Sequence, residues 1–353
     1  MKHAGLEPSS GADLPPALEA YEAGALLRVS AACGALAWLG HRWFADTELI
    51  TSTLAFALLV IVPLALSLFR PSPRELGVFS WSTLLQPVAA IGALTALTLE
   101  PRSATALFAL PWLVFTGLVA AVGSLRLASQ SGPADLAHGL GCLLLPVGGL
   151  WFCMSRAGLD PLGMGRMMVL LTALHFHFVA FAALAIFAAA AERLARLSTL
   201  ELVPQRTLAV TRVGIVAQGF GTFLVAAAAS GVPTLGLAGA VLTALALFAH
   251  AYTSLRYLWV RVPGGMARLC LLISSLSVLV SVPLAIAWTW GQITGREVLD
   301  FTWMLRLHGM VNAHGFVLCG LLALWLWLRS EARVAVPRER GQARVRVDVS
   351  VED

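Results

Sequence analysis

Ten apolar runs, each close to the length that crosses a bilayer, dictate what this chain can fold into. Hydrocarbon is spanned by about 20 helical residues. Runs of that kind lie near residues 23–39, 50–69, 82–98, 104–127, 135–155, 167–192, 208–229, 233–255, 269–290 and 302–328. Inside lipid the backbone must satisfy its own hydrogen bonds, so such runs read as helices. The expected fold is all-α: a polytopic transmembrane helix bundle of about ten spans. The first run is short and holds Arg28, which leaves its crossing open. Four runs carry an internal proline (Pro63, Pro111, Pro146, Pro283), which membrane helices tolerate. With 58% hydrophobic and 12% charged residues, the composition exceeds the apolar content a soluble core needs.

Three segments follow. Residues 1–21 carry Glu7, Asp13 and Glu19 without an early apolar core, so a disordered cytoplasmic lead is expected, not a signal peptide. Residues 22–328 form one transmembrane domain. Residues 329–353 form a charged cytoplasmic tail, in which alternating Val345, Val347, Val349 and Val351 could pair as a strand but more readily stay solvated. No Gly-rich phosphate loop or dinucleotide fingerprint occurs, which excludes an ATP-driven pump by this chain alone. The five cysteines are scattered without a C-x-x-C, so neither a disulfide framework nor a zinc knuckle is expected.

Arginines set the expected orientation. Loops after even-numbered spans and the tail hold most of them (Arg70, Arg74, Arg126, Arg193, Arg196, Arg206, Arg256, Arg261, Arg268 and those after Arg329), and loops after odd-numbered spans hold few. The positive-inside rule therefore puts both termini in the cytoplasm. Trp38, Trp43, Trp151, Trp288, Trp290 and Trp303 then form an outer interfacial belt, and Trp81, Trp259, Trp325 and Trp327 an inner one. The net charge of +5 needs no nucleic-acid partner, because anionic lipid attracts the same arginines. The expected partner is the lipid bilayer itself, with a small-molecule ligand besides.

Histidines mark the functional candidates, since ionisable groups deep in a bilayer are costly and usually face a protein interior. His175 and His177 lie in span six, and His308 and Asn312 in span ten, each roughly 9–16 Å below the outer start of its span. On a regular helix His308, Asn312 and Gly315 share a stripe, and His314 points elsewhere. His175 and His177 diverge by about 200°, so one is expected in a site and the other bonded to a neighbouring helix. The lining around His177 (Ala173, Leu174, Phe181, Leu184) favours it as the site residue, with His177 and His308 as the candidate metal ligands. Secondary candidates are Arg306, which could meet an anion or snorkel to the headgroups, and His41, expected in an outer loop beside Asp46 and Glu48.

The H-F-H-F of residues 175–178 and the H-G-x-x-N-A-x-G-F of residues 308–316 resemble the hallmark motifs of the YndJ-like family of bacterial integral membrane proteins. The resemblance runs from about span two to span ten. It departs from the pattern at Val179-Ala180-Phe181, where A-G-F is expected, and at His314, where an apolar residue is expected. It implies a polytopic protein of the bacterial cytoplasmic (inner) membrane, sometimes labelled a transporter, with no established activity.

Imidazole is the commonest ligand of zinc, copper and haem iron. The leading expectation is therefore a histidine-lined site in the outer half of the bilayer that binds a metal, haem or small ligand. Redox or acid–base chemistry at His177 and His308 is the activity such a site would serve. The alternatives are a small-molecule transporter using the same layer, and a structural or sensor subunit whose histidines only pack. No Asp or Glu sits mid-span, which weakens a cation-coupled carrier.

Overall fold

The computed structural model describes residues 16–44, 48–129, 132–228 and 231–344. Among them there is no strand, and ten helices are long and apolar enough to cross a membrane. These are α1 (Pro16–Phe44), α2 (Leu49–Leu66), α3 (Pro73–Thr98), α4 (Ser103–Ala128), α5 (Pro133–Ala157), α6 (Arg166–Thr199), α7 (Gln205–Ala228), α8 (Pro233–Leu258), α9 (Gly265–Thr294) and α10 (Phe301–Glu331). Each coincides with one apolar run. The helix starts carry readable signals. Pro73, Pro133 and Pro233 occupy first-turn positions where a missing N–H costs nothing. The Asp300 carboxylate accepts from the Thr302 and Trp303 amides at 2.8 and 3.1 Å.

Two expectations at the ends are corrected. Helix α1 already begins at Pro16, so residues 16–21 are helical; residues 1–15 lie outside the described residues. Helical structure also continues past Glu331 to Arg344, because Arg, Glu and Ala favour helix once the run has been nucleated in the span. Val345, Val347, Val349 and Val351, whose alternation left strand pairing open, lie outside the described residues.

Helices α2 and α6 are the most deeply buried and form the centre of the bundle. Their side chains Leu54, Leu58, Ile61, Phe181 and Leu184 are fully enclosed. Around them α3, α4 and α5 pack in sequence, and α8 packs between α7 and α9. Helix α10 rests chiefly on α9. Four helices contain π-helical turns: Ala57–Ile61, Phe176–Ala182, Ser254–Leu258 and Met304–Leu318. Such turns widen a helix and redirect its side chains, frequently at functional sites.

A cluster of paired charges lies at one end. The Arg126 guanidinium donates to Glu75 at 2.6 and 2.5 Å, to Asp135 at 3.0 Å and to the Arg70 carbonyl at 2.7 Å. Glu75 is fully buried and also accepts from the Ser72 amide, completing a capping box at the start of α3. Nearby, His138 lies 3.6 Å from Glu192, and Arg193 stacks 4.7 Å from the Trp327 ring centroid. Trp327 is buried by that contact. Trp38 is half-buried and packs 4.9 Å from Phe56.

The α9–α10 contact relies on a close approach. Ser274, Ser277 and Ser281 form a stripe on α9, and a Cβ at Gly315 would strike the Ser277 side chain. Small residues and hydroxyls are what bring membrane helices together, since lipid supplies no hydrophobic drive between them. Gly315→Ala is therefore expected to lower stability by about 1–3 kcal/mol. Melting of the purified protein in detergent reads this out. Adding Ser277→Ala should recover part of the loss; strictly additive losses would show that the two positions do not touch.

Candidate functional site

Ser281 holds two of the expected site residues at once. Its carbonyl oxygen lies 2.9 Å from His308 Nδ1, and its hydroxyl donates to Asn312 Oδ1 at 2.7 Å. A ring nitrogen facing a carbonyl must carry the proton, so in the neutral imidazole Nδ1 donates and Nε2 keeps the lone pair. Two turns away on α9, Ser274 donates to the Phe316 carbonyl at 2.8 Å. The stripe of His308, Asn312 and Gly315 is thus formed as expected, but it faces α9, with the imidazole edge turned aside from that contact.

Span six divides its two histidines the other way from the expectation. His177 is fully buried. Its Nδ1 donates to the Ala173 carbonyl at 2.7 Å, and its Nε2 accepts the Trp112 indole N–H at 3.0 Å. Both nitrogens are committed, and the ring is wedged toward α4 and α5, where a Cβ on Gly148 would come within 2.8 Å of Nδ1. His177 is a packing histidine. His175, preceding the π-helical turn, lines a cavity and has a buried Nε2 with no partner.

The cavity measures about 370 Å³. Its walls come from α2, α6, α7, α8, α9 and α10. They run from Met168, Pro233, Gln292 and Phe301 at the arginine-poor end to Ala183, Phe316 and Val317 near the middle of the bundle. His175 and His308 both line it, with Asn312 beside His308. Gln218 also contributes, donating to the Val179 carbonyl of the π-helical turn at 3.0 Å. No Asp, Glu, Lys or Arg is among the lining residues.

The remaining candidates separate. His314 stacks on Phe56 at 4.8 Å on the opposite face of α10, away from the cavity. Arg306 is exposed and does not line the cavity, as a snorkelling arginine would be. His41 is not in a loop: it sits in the last turn of α1, buried, and Asp46 lies outside the described residues. The pairing of His177 with His308 as metal ligands is corrected as well, since His177 faces Trp112. Among the described residues, no group of three His, Cys, Asp or Glu side chains could hold a metal ion. Helices α6 and α10 do meet along their π-helical turns, but not through His177.

Sequence reasoning passed over Ser281, Gln218 and Trp112. A signal existed for the first: serines at 274, 277 and 281 recur at helical spacing and mark one face. Trp112 carried none, because a lone tryptophan in an apolar run does not name its partner.

The YndJ-like protein family matches this chain over residues 52–316. A relative from Bacillus subtilis (strain 168), described as "Uncharacterized membrane protein YndJ", is 28% identical over 258 residues. That match covers 72% of this chain and 44% of the relative, so the chain spans less than half of the relative's length. No solved structure matches.

The two histidines of span six should respond differently to substitution. Trp112→Phe leaves His177 Nε2 buried and unbonded, at an expected cost of about 1–3 kcal/mol. His175→Gln breaks no protein hydrogen bond and should shift the melting midpoint little. Equal losses in the two variants would contradict this division of roles.

Proposed function

The chain belongs to the YndJ-like family, and on that premise we propose that this multi-pass membrane protein binds a small, uncharged, largely apolar molecule in the cavity between α6 and α10. His308 and Asn312 are its polar contacts, and His175 lines the same cavity. The observation that carries this reading is a cavity of about 370 Å³ lined without a charged side chain. An ion entering it would lose hydration and find no counter-charge, which costs several kcal/mol per ion even after relaxation, by a rough general estimate. Two imidazoles fall short of the three or four protein donors of a zinc site. Haem propionates would require cations, and Arg306 is turned away from the cavity. Apolar walls with a few placed polar groups are the usual make-up of small-molecule sites.

Arginine asymmetry supports both termini in the cytoplasm and the cavity in the outer half of a bacterial cytoplasmic membrane. A carrier using the same cavity is the second reading. It is favoured by closure on the other side: Phe316 and Val317 form the floor, and beneath them His250 stacks on Phe187 at 4.4 Å.

Three measurements test these points. Organic extraction of protein purified in mild detergent, followed by mass spectrometry, should recover a neutral apolar compound from the wild type. His308→Ala and Asn312→Ala should retain about a tenth of it or less, the loss expected for one good hydrogen bond. Gly309→Leu should fill the cavity with little strain, because a Cβ there meets only Leu305 at 3.5 Å. Undiminished recovery from that variant would sink the proposal. For orientation, a reporter fused after Asp353 should be active only in its cytoplasmic form. For the carrier reading, reconstituted vesicles should accumulate the compound, and Gly309→Leu should abolish uptake.

A further inference from the structure

The hydrogen-bond arrangement around Ser281 restricts the ligand further than shape and charge do. With Nδ1–H of His308 donated to the Ser281 carbonyl, Nε2 can only accept. It has no protein partner and is not sealed from the cavity, unlike the buried Nε2 of His175. Asn312 is fixed in the opposite sense. Its Oδ1 accepts the Ser281 hydroxyl, so the group it offers is the donor Nδ2. Nδ2 lies 3.3 Å from His308 Nδ1, but that nitrogen already carries a proton, so the contact is no hydrogen bond and leaves the amide protons to other acceptors. The wall thus presents one acceptor and one donor side by side.

Resting on the cavity reading above, we infer that the ligand carries a hydroxyl on an apolar body, an alcohol or a phenol. The O–H donates to His308 Nε2, and the same oxygen accepts from Asn312 Nδ2. One oxygen can bridge both groups with ordinary bonds of about 2.8 Å, given how closely the two side chains sit. A ketone or an ether brings only lone pairs to Nε2 and leaves it unsatisfied. A hydrocarbon leaves both groups bare. A cation finds no carboxylate in the lining. Gln218 and His175 also line the cavity, among apolar residues, and would lie against the body of the ligand.

Three probes of nearly equal shape decide the matter: 2-naphthol, 2-methoxynaphthalene and naphthalene, titrated against the purified full-length protein. The expected result is that 2-naphthol binds about tenfold more tightly than either of the others, the value of one neutral hydrogen bond. In His308→Phe that advantage should disappear while naphthalene binding persists, and in His308→Gln, which restores an acceptor, part of it should return. If His308→Phe fails to fold, the comparison on wild-type protein stands alone. Equal affinities for all three probes, or a methyl ether as tight as the naphthol, would overturn the hydroxyl assignment and leave the apolar cavity reading intact. Binding of none of the three would instead remove the cavity reading.

Discussion

Hydrocarbon offers a polar group nothing to bond with, so each polar side chain that enters the bundle has to find its partner in another helix or in its own backbone. Most do. Thr53, Thr172, Thr222 and Ser82 return their hydroxyls to carbonyls one turn back. Ser281 goes further and ties α10 to α9 through two groups at once, orienting an imidazole and an amide together. The candidate site uses what that tie leaves over: the edge of His308 that Ser281 does not use and the amide end of Asn312.

Segregation of charge follows from the same constraint. Glu75, Arg126 and Asp135 neutralise one another at one end, with Arg126 also lying over the Phe69 ring at 4.6 Å. Removing one partner would strand a buried charge, which is why such groups occur in closed sets. The cavity lies toward the other end and is lined only by neutral groups. A bundle built this way holds its charges where they fasten helices and leaves an apolar chamber where a neutral molecule can lodge.

The ten spans were legible because a membrane helix is defined by length and apolarity alone, and both are local properties of the chain. Signals such as Asp300 before Thr302 and Pro at first-turn positions were equally readable. That the two histidine-bearing stretches turn side chains into the bundle was legible too, from the cost of ionisable groups in a lipid-facing position. Their assignment was not. Ideal α-geometry separates His175 from His177 but does not say which direction holds Trp112 and which a cavity. Preference for His177 rested on the mixed lining of Ala173, Leu174, Phe181 and Leu184, yet Gly148 leaves room only for the ring on that side. His41 was placed in a loop because its flank is charged, yet the helix runs on through it.

By itself, then, the sequence determined the class, the number of spans, their approximate limits and the level at which polar groups enter the bilayer, since each depends on residues close together in the chain. Tertiary structure alone decided that His177 bonds Trp112, that Ser281 sets the tautomer of His308, and that His175 and His308 line one cavity. These link residues from 27 to more than 100 positions apart. They depend on how α6 and α10 are rotated and widened by their π-helical turns, and that rotation is settled by packing against α4, α5 and α9. No periodicity within a single span records it.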